Sequence, residues 1–132
     1  MESLRTSLSI IMPVFNHRDE VRTMIDSILA NDFNAWELLA VDDGSGEDTL
    51  QMLESYAAAD NRIRVVRRSQ QPKGAQTCRN IGLEMARGEF VIVFDSDDYI
   101  APYCLRQRVE MLQKRPDLDF LVFPSGVFVD DR

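Results

Sequence analysis

Short apolar runs alternate with amphipathic stretches along the whole chain. Residues 8–14 and 90–94 are nearly continuous apolar segments of strand length. Val21, Met24, Ile25, Ile28 and Leu29 instead recur at helical spacing and give one buried face. The pattern predicts a first strand at 8–14, then a helix over 19–30 with Asn16 as its cap. A second strand comes at 37–41, with Trp36 and Phe33 packing under it, and Gly44 and Gly46 mark a turn. The next helix spans 48–59 with Leu50, Leu53 and Ala57 inward, and a short third strand covers 63–66. Residues 68–75 are polar, contain Pro72 and Gly74, and read as a loop. A third helix over 77–86 turns Cys78, Ile81, Met85 and Ala86 inward and stops near Gly88. The fourth strand, 90–94, leads to a helix from 103 to 114 opened by Pro102, and a fifth strand is expected at 119–123. Such alternation implies an α/β fold: a Rossmann-like, mostly parallel sheet flanked by helices.

In that architecture ligands bind at the carboxyl ends of the strands. Residues 13–16, 42–45 and 95–98 all fall there, and two of these segments are acidic: Asp42-Asp43-Gly44-Ser45 and Asp95-Ser96-Asp97-Asp98. In an extended segment Asp95 and Asp97 share one side while Ser96 faces away. Two hard oxygen ligands with room for waters and a phosphate suit Mg²⁺ or Mn²⁺ better than zinc. An isolated Asp-x-Asp more often ends a strand or caps a helix, so its context decides.

Bulk composition narrows the field. The 132 residues fit one domain, and 45% apolar with 28% charged residues is ordinary globular composition. A net charge of -7 argues against a nucleic-acid partner and leaves no basic stripe for lipid headgroups. Cys78 and Cys104 lack metal-ligand spacing and read as buried thiols in a reducing compartment. The apolar stretch 8–14, cut by Pro13, lacks the features of a signal peptide, and no run approaches the ~18 residues of a membrane span. A cytoplasmic location is expected, which for a larger protein includes the cytoplasmic face of a membrane.

Four segments in register supply the missing context. Ser9-Ile10-Ile11-Met12-Pro13-Val14-Phe15-Asn16, then 36–45 ending Val41-Asp42-Asp43-Gly44-Ser45, then Gly74 with Arg79-Asn80-Ile81-Gly82, then Gly88-Glu89-Phe90 leading into Asp95-Ser96-Asp97-Asp98, resemble the family 2 glycosyltransferases of the GT-A fold. The resemblance runs from Ser7 to about Leu112 and implies the half of that fold that binds a nucleoside-diphosphate sugar, most often a UDP-sugar. It implies that Pro13, Val14 and Phe15 line the nucleotide pocket, that Asp43 accepts a hydrogen bond from the base, and that Asp42 lies beside it. It further places Arg79 near base and phosphates, Asp95 with Ser96 at the ribose, and Asp97 on a divalent cation, Mn²⁺ or Mg²⁺. A carboxylate can read the imide N–H of uracil, and apolar walls suit a planar base. Lys73 reads as a solvated surface charge, and His17 as a surface or capping residue.

Inverting transfer needs a base to deprotonate the acceptor hydroxyl. The resemblance puts that carboxylate well beyond the acidic strand tip, whereas only residues 99–132 come after Asp98. Asp117, Asp119, Asp130 and Asp131 come too early for it. The expectation is a donor-binding portion, residues 1–132, of a larger inverting hexosyltransferase acting in cell-surface glycan synthesis, and apolar surface around 120–128 is expected to favour a homodimer. A non-catalytic UDP-sugar-binding module is the alternative. A phosphoacceptor signalling domain would need its acid pair after the first strand, and a dehydrogenase would need G-x-G-x-x-G there; neither is present.

Overall fold

The structure, a computed structural model, describes residues 6–114 and, for backbone only, 120–122. In chain order the elements are β1 (Leu8–Val14), α1 (Arg18–Leu29), β2 (Trp36–Asp42), α2 (Glu47–Ala59), β3 (Ile63–Arg67), α3 (Ala75–Met85), β4 (Phe90–Val93), α4 (Cys104–Gln113) and β5 (Phe120–Val122). They form one five-stranded sheet of order β3-β2-β1-β4-β5, with every pairing parallel. Strand order therefore reverses direction between β1 and β4. Ligands of open α/β sheets bind outside the carboxyl ends of the strands near such a reversal.

Alternation along β1 and β2 divides the core. Leu8, Ile10, Met12 and Val14 join Leu38 and Ala40 against α1, α2 and α4. Ile11, Leu39 and Val41 face the other way, toward Cys78, Ile81 and Met85 of α3. Both faces of the sheet are thus covered, which explains why its strands read as continuous apolar runs. α1 buries Val21, Met24, Ile25 and Ile28, the face its periodicity predicts. Trp36 is buried, with the Arg62 guanidinium 3.9 Å from its ring centroid, and Phe33 packs at the edge of the same core.

α2 turns differently from expectation. Its buried residues are Thr49, Met52 and Leu53, while Leu50 is half-buried. The inward face thus begins on a threonine, which a search for apolar periodicity passes over. α3 starts two residues earlier than predicted, because Gly74 adopts φ +137° and releases the chain into the helix at Ala75. Gly88 is no helix stop: α3 ends at Met85, and a Cβ at Gly88 would lie 2.7 Å from the Ser9 amide nitrogen. Gly82 likewise lets α3 approach β1, since a Cβ there would sit 2.5 Å from Ile11 Cγ2.

A buried polar cluster ties that end of the sheet together. Ser9 Oγ donates to Glu37 Oε2 at 2.6 Å, Arg87 N donates to the same oxygen at 2.7 Å, and Gly88 N donates to Ser9 Oγ at 2.8 Å. Arg64 adds a 3.4 Å contact to Glu37 Oε1. Every polar group placed in this apolar surrounding finds a partner, as burial requires. Cys78 and Cys104 are both buried and are not joined in a disulfide. No helix among the described residues is long and apolar enough to cross a membrane. Asp117, Asp119, Asp130, Asp131 and the side chains of 120–128 lie outside the described residues.

Candidate functional site

The carboxyl ends of β1, β2 and β4 meet the start of α3 in a cleft of about 310 Å³, lined by Pro13, Val14, Phe15, His17, Asp43, Ala75 and Ser96. Phe15 is 44% exposed, an unusual surface position for a large aromatic ring, and forms one wall. Lys73 lies across it, its ammonium 3.7 Å from the ring centroid. Lys73 is exposed, as its sequence reading expects, and its charge is directed onto that ring.

Asn16 and His17, immediately after β1, both hold positive φ, 58° and 59°. Such backbone is uncommon for residues other than glycine and is tolerated best by short polar side chains. Asn16 does not cap α1. The helix begins at Arg18 with His17 in the cap position and no side-chain cap bond. Asn16 instead receives Gly46 N on Oδ1 at 2.9 Å, and its own N–H donates to Ser45 Oγ at 2.8 Å. It thereby clasps the β1–α1 turn to the β2–α2 turn.

The two aspartates ending β2 point to opposite faces and do different work. Asp42 is buried, and its Oδ2 accepts Gly44 N and Ser45 N, both at 3.0 Å, so it shapes the turn. Its Oδ1 has no hydrogen-bond partner among the described residues. Asp43, 7% exposed, looks into the cleft. Its Oδ1 takes a tight charge-assisted bond from Arg68 Nε, with Gly74 N at 3.2 Å and Cys78 Sγ at 3.6 Å. Among the described residues, the one charge paired with Oδ2 is Lys73 Nζ, 4.0 Å away. Burial pushes the Asp43 carboxyl up, but the Gly74 amide, Arg68 and Cys78 together outweigh it and hold the group below its ordinary value. The same charge, added to burial, raises the Cys78 thiol to about 11. Cys78 is therefore a protonated donor, not a nucleophile.

Past β4 the chain departs from extended geometry. Ser96 and Asp97 lie in a turn, Asp95 and Asp97 are exposed, and Ser96 is the half-buried residue that lines the cleft. Asp98 Oδ1 receives Tyr99 N at 3.0 Å. Residues 100–105 are anchored to the end of α1. Asn31, 5% exposed, donates through Nδ2 to Ser27 O and Ala101 O, at 2.9 and 3.0 Å, and its Oδ1 accepts Leu105 N at 2.9 Å. Ser27 Oγ accepts Ile100 N at 3.1 Å, and Pro102 O accepts Asp32 N at 2.8 Å.

Of the residues singled out from sequence, Pro13, Val14, Phe15, Asp43 and Ser96 come together around the cleft. Asp42, Asp95, Asp97 and Arg79 are outside its lining. Arg79 sits one turn along α3 from Ala75, half-buried, on the side of the helix that starts at the cleft. Arg68, Lys73 and Asn31 carry no signal that sequence reasoning could use. The first two sit in a polar loop where charge alone carries no direction, and Asn31 sits in an apparently ordinary helix exit. A groove of about 850 Å³ also runs between α1 and α2; in it Tyr56 Oη donates to Asp26 Oδ1 at 2.5 Å. Burial, then that carboxylate, raises the Tyr56 hydroxyl to about 12.

Comparison with known proteins places this geometry. Residues 9–131 match the model of glycosyl transferase family 2. EpsH of Bacillus subtilis (strain 168), which bears a glycosyltransferase name, is 38% identical over 99 residues, covering 74% of this chain and 28% of its own length. TuaG of the same organism, named for glycosyl transfer in teichuronic acid biosynthesis, is 34% identical over 115 residues, 87% of this chain and 45% of its own. Among solved structures, S. aureus TarS 1-349 in complex with UDP-GlcNAc superposes with a TM-score of 0.74 at 32% identity, over 83% of this chain and 32% of that one. The chain thus spans less than half the length of these relatives.

Proposed function

The chain belongs to glycosyl transferase family 2, and from that premise we propose that it is the donor-binding part of an inverting hexosyltransferase that takes a UDP-sugar. The observation that carries this reading is the cleft at the β1/β4 switch point, where an exposed aromatic wall, a partnered aspartate and Ser96 face one another. Phe15, with Pro13 and Val14, offers a flat apolar surface for the base. Asp43 Oδ2, without a hydrogen bond of its own, accepts the imide N–H of uracil. Ser96 and Asp95 serve the ribose, Arg79 serves the phosphates, and Asp42 holds the turn that presents Asp43. The UDP-GlcNAc complex of TarS supports the choice of nucleotide.

The donor set fits a hard divalent cation. Asp95 and Asp97 are exposed carboxylates on one turn beside the cleft, and the described residues contain no cluster of three metal-ligating side chains. Mg²⁺ and Mn²⁺ are held in this manner, by one or two carboxylates completed by substrate phosphate and water. Asp97 would hold the cation, which supplies positive charge to the departing diphosphate. The chain's own residues bind and orient the nucleotide. Transfer to an acceptor hydroxyl in cell-surface glycan synthesis, on the cytoplasmic side, completes the proposal for the whole protein.

The test is calorimetric titration of UDP and UDP-GlcNAc, with GDP as control, in Mn²⁺ and again in EDTA. Metal-dependent binding of the uridine nucleotides over GDP is expected. Equal binding of GDP removes the uracil reading, and no binding of any nucleotide removes the donor-site reading.

A further inference from the structure

Arg68 stands out because nothing in the proposed donor site requires it, yet the structure commits the whole side chain to that site. Only 10% of its side chain is exposed. Its backbone N–H donates to Asp42 O at 2.8 Å, its Nη1 to Gln70 O at 2.8 Å, and its Nη2 lies 3.5 Å from Asp43 O. Nε grips Asp43 Oδ1. With Gly74 N and Cys78 Sγ on the same atom, Oδ1 is saturated, and Oδ2 is the oxygen left to the cleft. A carboxylate has lone pairs in four directions, and three donors on one oxygen fix the plane in which the other presents its own.

We propose that Arg68 is a positioning residue for nucleobase recognition: its guanidinium, held by the main-chain carbonyls of Gln70 and Asp43, locks the Asp43 carboxylate so that Oδ2 alone meets the base. The proposal rests on the donor-site reading of Asp43. A planar guanidinium suits the task better than an ammonium, since its donors keep a fixed angle to one another. The other charged or titratable groups around the carboxylate are Lys73 from the same loop, Cys78 from α3, Asp42 beside it and His17 across the cleft. Lys73 is 53% exposed, and resting on Phe15 it occupies the face a base would stack on. Arg68, with 10% of its side chain exposed and a bond to Asp43 Oδ1, holds the carboxylate, while Lys73 adds charge from 4.0 Å.

The experiment compares this chain with Arg68→Ala, Arg68→Lys and Asp43→Asn. UDP and pyrophosphate affinities are measured by calorimetry between pH 5 and 8, and the Asp43 carboxyl is titrated by carbon NMR without nucleotide. Arg68→Ala is expected to lose about tenfold in UDP affinity, the scale of one hydrogen bond to a charged group. It should lose more toward pH 5, leave pyrophosphate unaffected, and show a raised Asp43 midpoint. Arg68→Lys keeps the charge and should restore the midpoint while recovering only part of the affinity. Should Arg68→Ala fail to unfold cooperatively, Arg68→Gln is read in its place. Wild-type UDP binding that is lost in Asp43→Asn but untouched, with an unmoved Asp43 midpoint, in the Arg68 variant overturns the positioning role alone. A wild type that does not bind UDP, or an Asp43→Asn variant that binds as well as wild type, overturns the base-reading role and this proposal with it.

Discussion

Replacing Gly88 by alanine adds one methyl group where β4 begins, and the structure shows where that methyl must go. It would lie 2.7 Å from Ser9 N, 2.8 Å from Ser9 Oγ and 2.9 Å from Leu8 C. Two of the three are main-chain atoms of β1, locked between β2 and β4 and unable to rotate aside. The segment carrying residue 88 has to move out by roughly half an ångström or more, as ordinary contact distances demand. Such a shift stretches Gly88 N to Ser9 Oγ and Arg87 N to the buried carboxylate of Glu37. A neutral hydrogen bond contributes about 1 kcal/mol and one to a charged group about 1.5–3 kcal/mol, so losing much of both costs about 2–4 kcal/mol. The unfolded chain gives back about 0.4–1 kcal/mol, since alanine has less freedom to lose than glycine. A net destabilisation of about 2 kcal/mol is expected, read from urea unfolding as a lower midpoint with an unchanged slope. Ser9→Ala should cost a similar amount without moving the backbone, since it removes the bond to Glu37 and leaves Gly88 N unpaired. A Gly88→Ala midpoint equal to wild type would refute the close-approach argument.

Asn31→Ala should destabilise by about 2–4 kcal/mol in the same assay, because it leaves Leu105 N without its acceptor, takes the side-chain donor from Ser27 O, and leaves Ala101 O with Cys104 N alone. Tyr56 is predicted to cause an alkaline loss of stability. Its folded pKa of about 12 lies above the ordinary value of 10.0, so the stabilisation is complete below pH 10 and disappears as pH rises toward 12; Tyr56→Phe should flatten stability across that window. Asp43→Ala should weaken UDP by about tenfold while leaving bare pyrophosphate unchanged, and equal losses in calorimetry would remove its base-reading role. Asp97→Ala should abolish metal-dependent nucleotide binding and leave the unfolding midpoint within about 0.5 kcal/mol of wild type, since the side chain is exposed. Unchanged metal dependence in that variant would sink the assignment.

Parallel strands buried on both faces announce themselves as apolar runs, so every strand is visible in the chain, and β1 is legible to the residue. The strand tips are legible with them, because a parallel α/β sheet leaves few places for Pro13–Phe15, Asp43 and Ser96 to go. Where expectation fails, a local preference meets a long-range one. Asn16 is a good helix cap by type, yet Gly46, thirty residues on, offers its N–H at 2.9 Å and captures the side chain. Leu50 is apolar, yet Thr49 takes the inward position because the pitch of α2 follows Met52 and Leu53. Gly88 resembles a helix stop by position, and only the neighbouring strand reveals that it makes room for Ser9. Arg68 and Lys73 are illegible for a related reason. The identity of a cation does not specify its partner, and theirs is 25 and 30 residues away.

Asn31 separates two mechanical duties that a short chain ordinarily merges. The acidic turn at 95–98 is suspended between β4 on one side and, on the other, the segment at 100–105 that Asn31 and Ser27 fasten to α1. Asp98 takes part through Tyr99 N, whereas Asp95 and Asp97 are exposed. The turn therefore behaves as an exchangeable cassette on fixed mounts: the exposed carboxylates of Asp95 and Asp97 can be removed or lengthened to retune what it binds, while the scaffold that carries them registers almost nothing.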